Sequence, residues 1–143
     1  MKKEVCQSIL EILEQKIKTV KQSVSFIQEA RNNETKSSAG DKYETSRAMM
    51  QAELDKQSLL LQQLLQQKFD ILKIQKTKPS KEIGFGSFVL TNQGEYLIAI
   101  GMGRVDKVFV ISLASPLGKQ FRGLSSGDKF IFQNKEYKIK SVK

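Results

Sequence analysis

The first 76 residues carry two long runs in which apolar side chains recur every three or four positions. In the first run the spacing alternates between four and three residues, at Cys6, Leu10, Leu13, Ile17, Val20, Val24 and Ile27. This period is typical of an amphipathic α-helix that packs against a second helix. No Gly or Pro interrupts the run, which predicts one helix over residues 3 to 31.

The second run follows a polar break and predicts a helix over residues 41 to 74. Its apolar stripe contains Tyr43, Met50, Leu54, Leu61, Leu65 and Leu72, with Leu60, Leu64 and Phe69 beside it. Because the break is short, polar and contains Gly40, the chain is expected to turn there, with a tip at residues 32 to 41. Two helices joined in this way run antiparallel, each ~45 Å long at 1.5 Å per residue. We predict a coiled-coil hairpin over residues 1 to 76; a dimeric coiled coil or a compact bundle is the alternative.

The pattern changes after the hairpin. Residues 77 to 82 are charged and contain Pro79, which indicates a linker. From residue 83 to 143, short β-branched and aromatic runs alternate with turn residues; they span 87–91, 96–100, 107–111, 129–132 and 137–142. We predict a curved sheet of five antiparallel strands, with one helical turn in the connection from Ser115 to Asp128. The fold class is therefore α+β, a helical hairpin followed by a small antiparallel β domain.

The absence of His and the presence of a single Cys exclude several kinds of catalytic site. The 143 residues contain no His, which excludes His-dependent nucleophilic triads and His-ligated zinc. The single cysteine, Cys6, cannot form an internal disulfide and lies on the apolar stripe of the first helix, so we predict a buried packing role. The length also favours binding over metabolic catalysis. We expect no enzymatic activity of the chain's own.

The charge balance predicts an anionic partner. The formal net charge is +9, from 24 Lys and Arg against 15 Asp and Glu spread over both halves of the chain. Such a balance favours RNA, DNA or an acidic protein surface as partner. No apolar run approaches the roughly 18 residues of a membrane span, and Glu4, Glu11 and Glu14 interrupt the segment where a signal peptide would lie. We expect a cytoplasmic protein without membrane contact.

A motif in the long connection of the β domain carries a family resemblance. It reads Ser115-Pro116-Leu117-Gly118, followed by Phe121, Gly123-Leu124 and Asp128. This segment resembles the closing segment of the Gre family of bacterial transcript-cleavage and elongation factors. Glu29-Ala30-Arg31 before the tip and Tyr43 after it are similar to the residues that bracket the tip in that family. The order of hairpin, linker and sheet domain also agrees, so the resemblance spans nearly the whole chain.

The resemblance implies binding to RNA polymerase by an FKBP-like β domain and a hairpin. The β domain would dock at the rim of the secondary channel, and the hairpin would reach down it. The docking residues that the resemblance implies are Ser115, Pro116, Leu117, Gly118, Phe121 and Gly123. In that family, acids at the tip help to hold a second Mg²⁺ in the polymerase's own active site, where backtracked RNA is cut. The free protein is expected to hold no metal and no cofactor of its own.

The tip departs from the family's pattern. That pattern places acids seven and four residues before the Tyr, where this chain has Lys36 and Ala39. The acids that remain available are Glu34, Asp41 and Glu44. Asp41 also suits a capping role, since Ser38 precedes it by three residues and free N–H groups at a helix start favour an acid. Glu34 and Asp41 are the two candidates to replace the usual pair.

These observations predict a monomeric RNA polymerase-binding elongation regulator. Its hairpin would enter the secondary channel, and its basic surface would contact nascent RNA. Whether it stimulates RNA cleavage or only occupies the channel stays open. A coiled-coil adaptor whose β domain binds another protein is a further alternative. A prolyl isomerase is disfavoured because the chain has no Trp to floor a proline pocket, and no recognition helix or RNA-reading aromatic motif supports a stand-alone nucleic-acid binder.

Overall fold

The computed structural model describes residues 1 to 34 and 41 to 143. Helix α1 spans Lys2–Glu34 and helix α2 spans Asp41–Lys76, so both predicted helices are confirmed and each extends beyond its predicted end. Their 33 and 36 residues correspond to about 50 and 54 Å of helix. The described chain divides into two compact units, Ile12–Lys68 and Met1–Glu11 with Phe69–Lys143.

The helical unit, Ile12–Lys68, is an antiparallel pair. Lys68 Nζ lies 3.6 Å from Glu14 Oε1, and Arg31 Nη1 donates to Gln51 Oε1 at 2.8 Å. Residue numbers therefore fall along α2 as they rise along α1. The predicted stripe of α1 is confirmed in this unit, because its apolar residues Leu13, Ile17 and Val20 are buried.

The predicted stripe of α2 is partly wrong. Leu65 and Leu72, which the prediction placed on it, are exposed, as are Leu60 and Phe69 beside it. One series of buried and half-buried positions recurs at spacings of four and three, at Met50, Leu54, Gln57, Leu61, Leu64, Lys68 and Ile71. Two long polar side chains thus occupy interface positions, where their aliphatic stems pack while their polar ends reach outward. A Leu-rich helix offers several equivalent stripes, and pairing with α1 selects one of them.

The second unit joins the helix ends to the β domain. Val5, Cys6 and Ile9 of α1 are buried, as are Ile71 and Ile74 of α2. Ser8 Oγ donates a hydrogen bond to Asp106 Oδ2 at 2.8 Å, which ties α1 to the β domain. A Cβ at Gly86 would lie 3.5 Å from Ile74 Cγ1, so the chain that enters the sheet passes directly beside α2. Burial also raises the pKa of the Cys6 thiol, which agrees with the predicted packing role.

The β domain contains one sheet of six strands. They are β1 (Phe88–Thr91), β2 (Gly94–Ile98), β3 (Gly103–Val105), β4 (Val108–Ile111), β5 (Lys129–Phe132) and β6 (Lys135–Val142). Their spatial order is β3-β4-β2-β1-β6-β5. Each of the five predicted runs overlaps a strand, but the prediction of five antiparallel strands is wrong.

Two features of the sheet escaped the prediction. The connection 101–106 contains the three-residue strand β3, which pairs antiparallel with β4. Strand β4 then pairs parallel with β2, so the sheet is mixed. A three-residue strand is too short to show an alternation of apolar and polar residues. The turn at Asp106, with φ of 55°, reverses the chain after β3, and β4 then runs alongside β2.

One face of the sheet carries the core of the domain. Its seven buried residues are Ile83, Val89, Tyr96, Ile98, Phe121, Tyr137 and Ile139. Phe121 comes from helix α3 (Pro116–Phe121), which is the helical turn predicted for the long connection. Phe88, Leu97 and Val110 stand opposite one another on the other face and are also buried.

Candidate functional site

The hairpin tip is bounded by the end of α1 and the start of α2. Glu34 is the last residue of α1 and Asp41 is the first residue of α2. Residues 35 to 40, with Lys36, Ala39 and the proposed cap Ser38, lie outside the described residues, as do the side chains at 34 and 41 to 43. Glu44 is exposed in the first turn of α2. The two helix ends thus place Glu34 and Asp41 on either side of a six-residue connection.

A chain of polar contacts joins the two helices near this end. Arg31 donates to Gln51, and Gln51 Nε2 donates to Asp55 Oδ1 at 2.9 Å. These hydrogen bonds are exposed to solvent and link the two helices in the turns that lead to the tip.

Charge is unevenly distributed along the helical hairpin. Residues 29–34 and 41–55 contain six acidic and three basic residues, whereas 15–28 and 56–68 contain five lysines and no acid. Lys18, Lys21 and Lys68 line a groove of about 430 Å³ in this second region, together with Glu14. The hairpin is therefore acidic next to the tip and basic in its middle, where the lysines suit phosphate groups.

The Ser-Pro-Leu-Gly motif forms the start of α3. Ser115 is the N-cap: its Oγ accepts a hydrogen bond from the Gly118 N–H at 3.0 Å and donates to the Ser112 carbonyl at 2.7 Å. Pro116 follows at the first helical position, where its missing N–H costs nothing. A Cβ at Gly118 would lie 1.9 Å from the Ser112 carbonyl oxygen, so only Gly fits there. The motif is a sequence that builds this tight turn.

The remaining residues of the motif also shape the domain. Phe121 is completely buried, with its ring centroid 5.1 Å from those of Tyr96 and Phe130 and 6.1 Å from that of Tyr137. Gly123 is exposed and has φ of +81°, a conformation that favours Gly. The side chain of Phe121 cannot touch a partner while the domain is folded.

The six predicted docking residues therefore fall into three groups by their exposure. Gly118 and Phe121 are buried, Ser115 and Leu117 are half-buried, and Pro116 and Gly123 are exposed. The exposed side of α3 also carries Lys119 at its last turn, and Arg122 follows it. The prediction missed these two basic residues. They are three positions apart and out of phase with the apolar Leu117 and Phe121, a pattern in the sequence that indicates a basic outer face of this helix.

Tyr96, in the core of the β domain, is a buried titratable group. The pKa of Tyr96 is raised to about 12, chiefly by burial and also by the charge of the neighbouring Tyr137 and a hydrogen bond with it. Among residues 1–34 and 41–143, no group of three or more His, Cys, Asp or Glu is arranged to hold a metal ion. No helix in this part of the chain is long and apolar enough to cross a membrane.

Comparisons of the chain with protein-family models, with curated proteins and with solved structures each found no match. The link to the Gre family accordingly rests on the quoted motifs and on the order of helical hairpin and β domain.

Proposed function

We propose that the protein is a Gre-like RNA polymerase-binding regulator of transcription elongation that inserts its hairpin into the secondary channel. The observation that carries the proposal is the combination of two features in one chain. A packed pair of helices, each about 50 Å long or slightly more, precedes a β domain in which the Ser115 to Gly123 motif forms a capped, close-packed turn. Helices of this length suit a role in reaching into a deep channel.

The charge pattern of the hairpin supports the same function. An acid-rich end next to the tip suits the neighbourhood of catalytic Mg²⁺, where additional carboxylate oxygens complete the metal's ligand shell. The lysine-rich middle suits contact with the phosphates of nascent RNA. The β domain would dock through the exposed part of the Ser115 to Gly123 turn, with Pro116, Lys119 and Arg122 as the side chains within reach of a partner.

The identity of the tip residues favours a second version of this function. Lys36 and Ala39 occupy the places of the usual acid pair, and positive charge there would repel a metal ion. In this version the protein occupies the channel, leaves RNA cleavage unchanged and alters pausing or initiation.

A cleavage assay distinguishes the two versions. If Glu34 and Asp41 replace the acid pair, adding the protein to a backtracked elongation complex speeds Mg²⁺-dependent cleavage of the RNA. In the double variant Glu34→Ala, Asp41→Ala, the stimulated cleavage rate is then expected to fall about 100-fold, while binding to the polymerase is unchanged. A matched variant that removes two exposed acids of α1 far from the tip, Glu4→Ala with Glu11→Ala, is expected to retain the stimulation.

Each other outcome has a defined meaning. Binding without stimulation by the unmodified protein supports the non-cleaving version. Stimulation that survives in the double variant rules out both acids and leaves Glu44 as the remaining candidate at the tip. Failure of the unmodified protein to bind the polymerase contradicts both versions.

A further inference from the structure

Strand β5 ends the sheet and presents an open edge. It is the last strand in the order β3-β4-β2-β1-β6-β5, and its single strand partner is β6. Ile131, in the middle of β5, is 74 % exposed, more than any other large apolar residue of the described chain. An exposed strand edge is a template on which another extended chain can pair.

The hydrogen-bond pattern shows which backbone groups of β5 are free. The Ile139 N–H donates to the Asp128 carbonyl at 2.9 Å, and a two-residue turn with positive φ at Gln133 and Asn134 closes the hairpin. Because hydrogen-bonded and non-hydrogen-bonded pairs alternate in an antiparallel ladder, Phe130 and Phe132 exchange hydrogen bonds with β6. The N–H and C=O groups of Lys129 and Ile131 consequently point away from β6, towards the open edge.

The side chains beside this edge are predominantly basic. Lys129 stands directly opposite Lys138 in a non-hydrogen-bonded pair, the kind of pair in which opposite side chains lie closest together. Both lysines are exposed on the side of the hairpin away from the core, where Glu136 lies opposite Ile131. Like charges placed directly opposite each other destabilise a strand pair. An anionic partner would relieve this repulsion.

The C-terminal part of the β domain, which contains β5 and β6, carries most of its positive charge. Residues 83 to 118 contain two basic and two acidic residues, whereas 119 to 143 contain seven basic and two acidic ones. Lysines on an edge strand are also a common means of preventing indiscriminate pairing. They discriminate by charge, however: a basic strand is repelled, whereas an acidic strand is attracted.

We propose that the open edge of β5 binds an extended acidic segment of a partner protein, which adds to the sheet as a seventh strand. The free groups of Lys129 and Ile131 would pair with its backbone. Its residue opposite Ile131 would be aliphatic, and the residue opposite Lys129, two positions away on the same face, would be acidic. An acid on both sides of the aliphatic residue serves this contact in either strand direction. The expected motif is acid-x-aliphatic-x-acid. This inference concerns an edge outside the Ser115 to Gly123 turn and does not depend on polymerase binding.

Hydrogen exchange on the full-length, ¹⁵N-labelled protein tests the proposal. The probe is the blocked peptide Ser-Glu-Thr-Val-Thr-Glu-Ser. Its addition is expected to slow exchange of the Lys129 and Ile131 amides, while the Phe130 and Phe132 amides, already bonded to β6, change little. A peptide with N-methylvaline in place of Val keeps the side chain but loses the central N–H, and it is expected to bind much more weakly. Replacing both Glu by Lys in the peptide is expected to abolish binding.

Two variants of the protein distinguish binding at the edge of β5 from a general effect of the protein's positive charge. Lys138→Glu is expected to weaken peptide binding by about tenfold, whereas the same substitution at the exposed Lys107, in the turn between β3 and β4, is expected to change it little. Thermal melts of both variants verify that they fold.

Three results would overturn the proposal. The first is no binding of the acidic peptide. The second is equal binding of the N-methylated peptide without protection of the two amides. The third is tighter binding of a short polythymidine strand with the same dependence on Lys138, which would assign the surface to nucleic acid instead.

Discussion

Replacing Phe121 with alanine is expected to lower the free energy of unfolding by about 3 to 5 kcal/mol. The side chain is completely buried and contacts the rings of Tyr96, Phe130 and Tyr137, so its removal leaves a cavity in the main apolar cluster of the sheet. Urea denaturation followed by near-ultraviolet circular dichroism of the tyrosines reports the loss. The matched variant Lys119→Ala, on the exposed side of the same helix, is expected to stay within about 0.5 kcal/mol of the unmodified protein.

This prediction also decides how docking can be tested. A Phe121 variant that fails to bind polymerase would report unfolding rather than a lost contact, whereas Pro116 is exposed and its substitution leaves the core intact. If Phe121→Ala unfolds at the same urea concentration as the unmodified protein, the packing described for α3 is incorrect, and Phe121 returns as a direct docking residue.

The adjacent leucines Leu64 and Leu65 are expected to respond very differently to the same substitution. Leu64→Ala should cost about 2 to 4 kcal/mol, because Leu64 is buried at the interface of the two helices. Leu65→Ala should cost about 1 kcal/mol or less, because 44 % of Leu65 remains exposed. Thermal unfolding followed by far-ultraviolet circular dichroism measures both, and the two variants share residue type, helix and composition.

The comparison tests which stripe of α2 faces α1. A larger loss at Leu65 than at Leu64 would restore the stripe predicted from the sequence. A melting temperature that rises with protein concentration would instead indicate that α2 pairs with a second molecule.

The helical hairpin was predictable because its signal is long and repetitive. The stripe of α1 contains one apolar residue at each interface position, so only one helical face is suitable for burial. Helix α2 has five leucines between residues 59 and 65, and several faces are therefore equally apolar. The pairing with α1 decides among them, and a periodicity within α2 alone carries no information about that pairing.

The sheet shows a different limit of sequence analysis. Each of the longer strands was found from its β-branched and aromatic residues. Strand β3 and the parallel pairing of β2 with β4 were missed, because both depend on a tight turn at Asp106 and on contacts between distant segments. The Ser115 to Gly123 motif was singled out through a resemblance, which identifies residues but not the direction in which their side chains point. Phe121 and Gly118 proved to lie inside the domain for this reason.

Site-specific crosslinking to core RNA polymerase tests the central claim most directly. A photoreactive residue in place of Thr45, which is exposed beside Glu44 in the first turns of α2, would report what surrounds the tip. The same group in place of the exposed Lys107 of the β domain is the control. We predict that the Thr45 position crosslinks to polymerase residues around the catalytic Mg²⁺, and that the Lys107 position does not. Crosslinks from Thr45 to the outer surface of the polymerase, or no complex at all, would contradict the account.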